Sequence, residues 1–333
     1  MIESIAFKNF KLLRDTTLPL GPLTLIVGPN GSGKTTALHG IKALGRQIDL
    51  SSDRFLSRDP IREEHGQNPI VLTVEWCGVL QKPTRFHWST DHIGVFDHLG
   101  APIEWRHYPQ RVPLSQVRVF ALDPVVLAQQ YPLHQAAELG ENGANLPVVL
   151  DRLRDHHPER FEALNFELSG WLPEFDRILF DTPSQGNRSI ALRTTSGHKI
   201  AAPELSQGTL LALAILTVAY LPEPPPVVGF EEPDRGLHPR LLRDVRDALY
   251  RLAYPDRFGE SRKPVQVIAT THSPYFLDLF RDSPEEVVIA EKLEGEAKFN
   301  RLVDLPHFEE ILQDSHLGEV WYSGILGGVP AER

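Results

Sequence analysis

Apolar positions near the start of the chain predict three strands that lead into a glycine-rich loop. Residues 2–8 and 23–27 are mainly apolar and have the character of strands, and residues 14–20 predict a further strand between them. The glycine-rich loop follows Val27, and the segment TTALHGIKAL after it has helical spacing. The pattern therefore predicts a strand, a loop and a helix in succession.

Short β-like runs recur from residue 69 to residue 122 and are separated by Pro, Gly and polar clusters. This spacing predicts an antiparallel, β-rich section. The pattern becomes helical over residues 145–172, and two or three more strands are predicted within 176–201.

A long apolar helix is predicted over residues 205–221, ahead of the proline linker PEPPP. Its most apolar part, residues 209–221, has 13 residues, fewer than the ~20 that a bilayer requires, so a buried core helix is the better interpretation. A strand (VVGF), a helix (LLRDVRDALYRLA) and another strand (VQVIATT) follow and complete the predicted core.

Composition restricts the class of protein. The 333 residues are 41% hydrophobic and 23% charged, which predicts a soluble globular chain of one large domain or two ordinary ones. The net charge of −10 gives no reason to expect general attraction to nucleic acid or to anionic membranes. The single cysteine, Cys77, excludes an intramolecular disulfide, and MIESIAFKNFK lacks the apolar region of a secretory signal. We therefore expect a cytoplasmic protein without a membrane partner.

The glycine-rich loop carries the strongest chemical signal. GPNGSGKTT at 28–36 matches the Walker A pattern G-x-x-x-x-G-K-[ST] between a strand and a helix. Glycines let backbone N–H groups surround phosphate oxygens, and the helix N-terminus adds positive charge. Lys34 is predicted to bind the β- and γ-phosphates of ATP, and the Thr35 hydroxyl to ligate Mg²⁺. The other predicted nucleotide-binding positions are Gly28, Asn30, Gly31, Ser32, Gly33 and Thr36. The alternative is a chance glycine turn.

Two adjacent glutamates end the predicted VVGF strand. Carboxylates at the end of a buried strand require something to offset their desolvation, and four apolar residues before an acid form the Walker B pattern. Glu231 is predicted to face the metal, and Glu232 to activate the attacking water. The alternative is a solvated strand end with two surface acids.

Three more segments occur in a set order along the chain, the first of them ahead of the VVGF strand. LSQGT begins the long apolar helix, where Ser206 is placed to cap it and Gly208 adds a backbone amide for an anion. DRGLHP follows Glu232 directly, and ATTHSPYF ends a strand with His272, which could donate to a γ-phosphate oxygen.

Together, these segments resemble an ABC-type ATPase. Within that class, IAFKNFKLL, ELSQGTLLAL, EEPDRGLHP and TTHSPYFL are similar to heads of the RecF and SMC type. The chain resembles the compact OLD-like, AAA-family subgroup without a coiled coil. The likeness is strong over 1–45 and 200–280, and weaker in GENGANLPVVLDRL and LGEVWYSGILGGVP.

The resemblance implies an α/β fold, a P-loop NTPase of the ABC-type head form. This head has a mixed central sheet, an antiparallel β-rich subdomain and a helical signature lobe. It implies one head over residues 1–333, with the nucleotide-binding core in 1–45 and 222–333, inserted lobes in 46–204 and a signature helix in 205–221.

The resemblance also implies roles for residues. Lys34, Glu232 and His272 become the catalytic residues, while Thr35 and Glu231 become the metal ligands. A Walker B acid is usually Asp in ABC proteins, so Glu231, longer by one methylene, could shift the metal contact.

A homodimer closed around two ATP molecules is a further implication. Ser206 and Gly208 would contact the γ-phosphate held by the opposite subunit, and residues 234–238 would form the D-loop at the dimer seam. Gln207 replaces the usual glycine of the signature, a smaller departure because the backbone and Ser206 do the binding. The Q-loop glutamine has only two candidates, Gln129 and Gln130, for which a surface position is the simpler interpretation.

Other residues of the sequence are weaker candidates for binding sites. Acid and histidine clusters could bind metal, although their spacing fits no recognised scheme and polar loops explain them: Asp91, His92, Asp97, His98 and residues 155–157. Three tryptophans could stack on bases, although core packing explains them equally well: Trp76, Trp88 and Trp105. Three residues lie where related heads contact adenosine: Phe7, Phe10 and Lys11.

The leading hypothesis is an ATPase head that acts as a nucleotide-gated clamp in DNA maintenance or antiphage defence. A partner effector or nuclease, and DNA, are implied by the resemblance alone. The alternatives are the ATPase subunit of a membrane transporter and a regulatory ATP-binding module with little turnover.

Overall fold

The computed structural model of the chain describes residues 1–48, 70–77, 83–89, 93–96, 101, 116–133, 138–184, 186–308 and 316–327. The strands are β1 (Ile2–Phe10), β2 (Leu13–Pro19), β3 (Leu23–Val27), β4 (Val71–Cys77), β5 (Pro83–Ser89), β6 (Ile93–Phe96), β7 (Val117–Phe120), β8 (Tyr131–Pro132), β9 (Phe175–Asp181), β10 (Asn187–Thr194), β11 (Lys199–Ala201), β12 (Val227–Glu231), β13 (Gln266–Thr271), β14 (Val287–Leu293) and β15 (Glu296–Arg301). The helices are α1 (Lys34–Ile48), α2 (Pro124–Leu127), α3 (Leu146–His156), α4 (Pro158–Trp171), α5 (Gln207–Tyr220), α6 (Leu241–Ala253), α7 (Pro274–Asp278) and α8 (Leu317–Tyr322).

An antiparallel sheet of five strands contains most of the β-rich section predicted from the sequence. Its order is β2-β1-β4-β5-β6, and every neighbouring pair is antiparallel. The two N-terminal strands belong to this sheet, while β7, from the same predicted section, joins a different one. The predicted antiparallel character is therefore confirmed, but its strands are divided between two sheets.

The second large sheet is mixed and has the order β15-β14-β3-β13-β12-β7. β3 is parallel to both β13 and β14, whereas β14 and β15 form an antiparallel hairpin. Val27 at the end of β3 lies opposite Thr271 at the end of β13. Because the carboxyl ends of parallel strands meet at one edge of a sheet, the residues that follow them are neighbours.

Helix α1 packs on both of these sheets through a single hydrophobic cluster. Ala37, Leu38 and Ile41 of α1 are buried in it with residues of β1, β3 and β13. The close approach of α1 to β1 requires a glycine, since a Cβ on Gly40 would lie 2.6 Å from the ring of Phe7. This packing holds the start of α1, where the Walker A lysine lies.

A buried glutamine joins the first strand to the mixed sheet. The Gln266 Oε1 accepts from the Ile2 N–H at 2.9 Å, and its Nε2 donates to the carbonyls of Ile2 and Gly21 at 2.7 and 2.9 Å. Backbone groups that are buried in this way need partners, so Gln266 fixes the entry of the chain into β1.

The chain divides into two compact units. The first comprises Met1–Val119, Pro225–Gly229 and Pro264–Arg333, and the second comprises Phe120–Pro224 and Phe230–Lys263. The predicted division into a nucleotide-binding core and inserted lobes stays a prediction.

The second unit is built around α5, which is buried from Thr209 to Tyr220. It packs against α2, α4 and α6, as expected for a core helix. Within the described ranges, no helix combines the length and the apolar character needed to cross a bilayer.

Charged and aromatic side chains pack around the C-terminal end of α5. Arg251 pairs with Glu260 at 2.8 Å and lies over the Tyr220 ring, 4.7 Å from its centroid. The Tyr220 hydroxyl donates to Glu167 at 3.2 Å. Burial raises the pKa of Tyr220 well above its usual value; the Arg251 charge opposes this rise and the Glu167 carboxylate adds to it. Tyr220 is therefore a neutral donor.

Candidate functional site

The phosphate loop has the strand, loop and helix order that the sequence predicts. β3 ends at Val27, and α1 begins at Lys34. The Lys34 side chain is only 5% exposed, and its Nζ donates to the carbonyls of Gly28 and Pro29 at 2.7 and 2.9 Å. The two carbonyls offset the desolvation of the ammonium and hold it against the loop.

The loop fits an anionic ligand. Gly31 and Gly33 adopt φ values of 79° and 100°, in the region that disfavours every side chain with a Cβ. The Ser32 Oγ is fully buried and has no hydrogen-bond partner among the described residues. A buried hydroxyl without a partner is costly unless a ligand completes it, and a phosphate oxygen would do so.

The β14–β15 hairpin braces this loop through a contact that the sequence does not predict. A Cβ on Gly28 would collide with the carbonyl oxygen of Ala290, and a Cβ on Gly33 would lie 2.8 Å from the Cβ of Ala297. The Ala297 N–H also donates to the Leu12 carbonyl at 3.0 Å. Two alanines far along the chain therefore set the position of the loop. No local pattern in the sequence signals them.

Replacing Ala297 by valine is expected to weaken ATP binding about tenfold, because the added methyl groups push the loop at Gly33 away from its ligand geometry. Isothermal titration with ATP would measure this effect. Lys298→Val is the matched control, since it adds the same side chain at the neighbouring, more exposed position of β15. Equal affinities of the two variants would contradict the bracing role of Ala297.

The structure brings His272 next to the phosphate loop. The Gly28 N–H points to the Thr271 carbonyl at 3.4 Å, and His272 is the next residue. Its side chain is exposed, while Ser273 begins α7 by accepting from the Phe276 N–H at 3.3 Å. His272 thus occupies an accessible position at the edge of the sheet where the loop lies.

Glu231 is the last residue of β12, and Glu232 follows it with a φ of 46°. Both side chains are partly buried and belong to the second unit. A left-handed conformation costs a non-glycine residue roughly 1–2 kcal/mol, and such residues cluster at functional sites. The strained backbone of Glu232 is a signal that the sequence does not contain.

The predicted Ser206 cap of helix α5 is confirmed. The Ser206 Oγ accepts from the Thr209 N–H at 3.0 Å and lies 2.8 Å from the Thr209 hydroxyl. Ser206 and Gln207 are exposed, and Gly208 is partly buried. The end of α5 is therefore accessible to a ligand or to a second chain.

Several weaker candidates are not supported. Phe7 and Phe10 are buried, at 0% and 1% exposure, and stack on each other, so the suggestion that they contact adenosine is wrong. Lys11 is exposed. Trp76 is 4% exposed in the same core. Gln129 and Gln130 are exposed on the surface.

The acid and histidine clusters also show no metal site where the structure describes them. Asp155 pairs with Arg154 at 2.7 Å, and the His156 ring lies 3.1 Å from the Arg152 carbonyl. Within the described ranges, no group of three or more His, Cys, Asp or Glu residues could hold a metal ion. The remaining candidates lie outside the described residues or side chains: Asp91, His92, Asp97, His98, Trp88 and Trp105.

Two solved structures resemble this chain. An SMC head bound to the C-winged helix domain of ScpA aligns with a TM-score of 0.59 and 14% identity, over 90% of this chain and 96% of that one. The SMC head domain from Thermotoga maritima aligns with a TM-score of 0.50 and 15% identity, over 90% and 98% of the two chains. The mixed sheet and the phosphate loop thus belong to a P-loop fold of the kind found in SMC head domains.

Family models agree with this class and identify the family. A model described as "AAA domain, putative AbiEii toxin, Type IV TA system" matches residues 99–278, and one described as "AAA ATPase domain" matches residues 1–83. The first model spans just over half of the chain, so the chain belongs to this AAA domain family of ATPases.

Two curated relatives are also similar. The "OLD nuclease" of Thermus scotoductus is 61% identical over an alignment of 335 positions, and the match covers 84% of this chain and 60% of that protein. The "Sulfate/thiosulfate import ATP-binding protein CysA" of Mesorhizobium japonicum is 30% identical over 186 residues, covering 50% of this chain and 49% of that protein. The chain thus spans about half to three fifths of the length of these relatives.

Proposed function

We propose that this chain is an ATP-hydrolysing head that dimerises around two ATP molecules and acts as a nucleotide-gated clamp. The observation that carries the proposal is the phosphate loop beside the accessible His272. The loop has left-handed glycines and a buried Ser32 hydroxyl that lacks a hydrogen-bond partner within the part of the chain that the structure describes. These features suit the binding of a triphosphate and the sensing of its terminal group.

The loop residues hold the nucleotide in this proposal. Lys34 and the amides of residues 28–36 bind the phosphates, while Thr35 and Glu231 are the proposed Mg²⁺ ligands. Mg²⁺, when bound, neutralises charge on the phosphate oxygens. The Walker B pattern supports the assignment of Glu231, because this acid directly follows the four apolar positions of the VVGF strand.

Glu232 is the proposed general base. A carboxylate orients the attacking water and accepts its proton, and the left-handed backbone at Glu232 gives this side chain a direction different from that of Glu231. His272 is proposed to donate to the γ-phosphate and to respond when that group leaves.

The exposed end of α5 is proposed to complete the site of a second copy. Ser206 supplies a hydroxyl and Gly208 an amide at the N-terminus of a 14-residue helix. Both groups suit an anion, and a nucleotide shared between two chains would link closure of the dimer to the presence of the γ-phosphate.

We propose a role in DNA maintenance or antiphage defence, in the cytoplasm, with a nuclease or another effector as partner. The relative that carries the name OLD nuclease supports the nuclease connection, and its greater length leaves room for a nuclease activity outside the matched part. DNA is the proposed substrate of that effector.

A second candidate is the ATPase subunit of a membrane transporter, favoured by the importer relative CysA. The two candidates differ in their partner. Stable co-purification with a membrane permease would favour the transporter, and co-purification with a nuclease would favour the leading proposal.

Light scattering on Glu232→Gln protein tests the dimer. With ATP and Mg²⁺ its mass is expected to rise from 37.5 kDa to about twice that value, because binding is kept while turnover is lost. Ser206→Arg in the same background should prevent the rise by blocking the helix end. Ser196→Arg, in an exposed turn of the same unit, is the matched control and should leave it intact. A monomer under all conditions would contradict the clamp.

A further inference from the structure

Two glycines join the start of the signature helix to the loop that follows β12. A Cβ on Gly208 would lie 3.0 Å from the Gly236 carbonyl oxygen and 3.7 Å from the Leu237 side chain. On the other side, a Cβ on Gly236 would lie 3.6 Å from the Leu211 side chain of α5. All of these residues belong to the second unit. The backbone of α5 and the backbone of the loop are therefore close enough that a methyl group on Gly208 would displace the loop by a few tenths of an ångström.

The loop between Glu232 and α6 has little freedom to absorb such a change. It contains two left-handed residues, Glu232 with a φ of 46° and Gly236 with a φ of 73°. Its two turns overlap, since the Arg235 N–H donates to Glu232 O at 3.0 Å and the Leu237 N–H donates to Asp234 O at 3.3 Å. Asp234 itself is 8% exposed. The two turns thus form a continuous hydrogen-bonded path along the backbone from Leu237 to Glu232.

We propose that Gly208 is a positioning residue that sets the backbone of Glu232 through Gly236. The proposal rests on the proposed function, in which Glu232 is the general base. As a consequence, the signature helix of a chain sets the position of the general base of that same chain. A ligand or second copy that moves the start of α5 would then change the rate of hydrolysis at that chain's own glutamate.

The proposal differs from a role in which Gly208 only admits a phosphate held by a second copy. If Gly208 only contacted phosphate, replacing it would leave the loop unchanged in the absence of nucleotide. If Gly208 positions the loop, replacing it changes the loop in the nucleotide-free protein as well, where neither ATP nor a partner takes part. His238 is a suitable probe, since its Nδ1 accepts from the Arg240 N–H at 3.2 Å inside the loop.

NMR of the histidine side chains in nucleotide-free Gly208→Ala protein tests the proposal. We expect the His238 resonance, assigned by its loss in His238→Gln, to shift. We also expect kcat for ATP to fall about tenfold, with KM nearly unchanged, because a misplaced general base affects the chemical step. Gly170→Ala is the matched control: Gly170 lies in α4, no atom comes within 4 Å of its added Cβ, and neither quantity should change.

Failure to fold is not expected for Gly208→Ala, because alanine is preferred to glycine within a helix. Gly236→Ala is a positive control: alanine is strained at its φ of 73°, so the loop moves in this variant and the His238 resonance should report that movement. An unmoved His238 resonance in Gly208→Ala would overturn the coupling, whatever the effect on turnover. If the wild-type protein hydrolyses no ATP, the proposed function fails, while the resonance still decides whether the two glycines position the loop.

Discussion

Lys34→Ala is expected to reduce ATP affinity about 100-fold and to abolish measurable hydrolysis. Hydrogen bonds from a cation to an anion contribute about 1.5–3 kcal/mol, and Lys34 is the cation placed within the phosphate loop. Removing it takes away a positive charge beside the phosphates, and the carbonyls of Gly28 and Pro29 lose the hydrogen bonds that Lys34 donates to both. Titration with ATP measures the first effect, and phosphate release measures the second.

Lys42→Ala provides the matched control for this variant. It removes the same side chain from the same helix, two turns further on, at a partly buried position of α1. We expect ATP affinity and turnover close to those of the wild type. Wild-type affinity in Lys34→Ala would contradict the assignment of residues 28–36 as the nucleotide site.

Substitution of Glu232 is expected to separate chemistry from stability. Both Glu232→Gln and Glu232→Gly should lower turnover about 100-fold or more while ATP still binds, because each removes the carboxylate of the proposed general base. Glycine should in addition raise the free energy of unfolding by about 0.5–1 kcal/mol, since it relieves the left-handed backbone at φ 46°. Phosphate release and denaturant unfolding measure the two quantities.

The control for this second prediction is Glu294→Gly. Glu294 is exposed in the turn between β14 and β15, with a φ of 51°, so glycine should give a similar gain in stability there without a loss of turnover. Equal and negligible turnover in the wild type and in Glu232→Gln would instead favour the regulatory module with little hydrolysis.

The elements with strong local patterns could be predicted from the sequence. The strand at 23–27 has the predicted bounds, and the long apolar helix, predicted over 205–221, spans Gln207–Tyr220. Ser206 caps it as predicted. Hydrophobic runs, glycine loops and cap residues act over a few positions, so their physics is contained in short segments.

The burial of the aromatic residues of β1 could not be predicted from short segments of sequence. The family resemblance places Phe7 and Phe10 where related heads contact adenosine, yet both pack against α1 and are buried. Their environment depends on how β1 is placed over α1, and Gly40 permits that placement from another part of the chain. Side-chain exposure is a property of long-range packing, which a local pattern does not encode.

The sequence by itself determined the chemistry available to this protein: a lysine and a hydroxyl in a glycine-rich loop, a capped apolar helix, and two acids at a strand end. Only the tertiary structure decided that Ala290 and Ala297 brace the loop, that Glu232 has a left-handed backbone, and that Gly208 lies against Gly236. The physical reason is that hydrogen bonding and periodicity act between near neighbours in sequence. Close packing acts between whichever atoms the fold brings together.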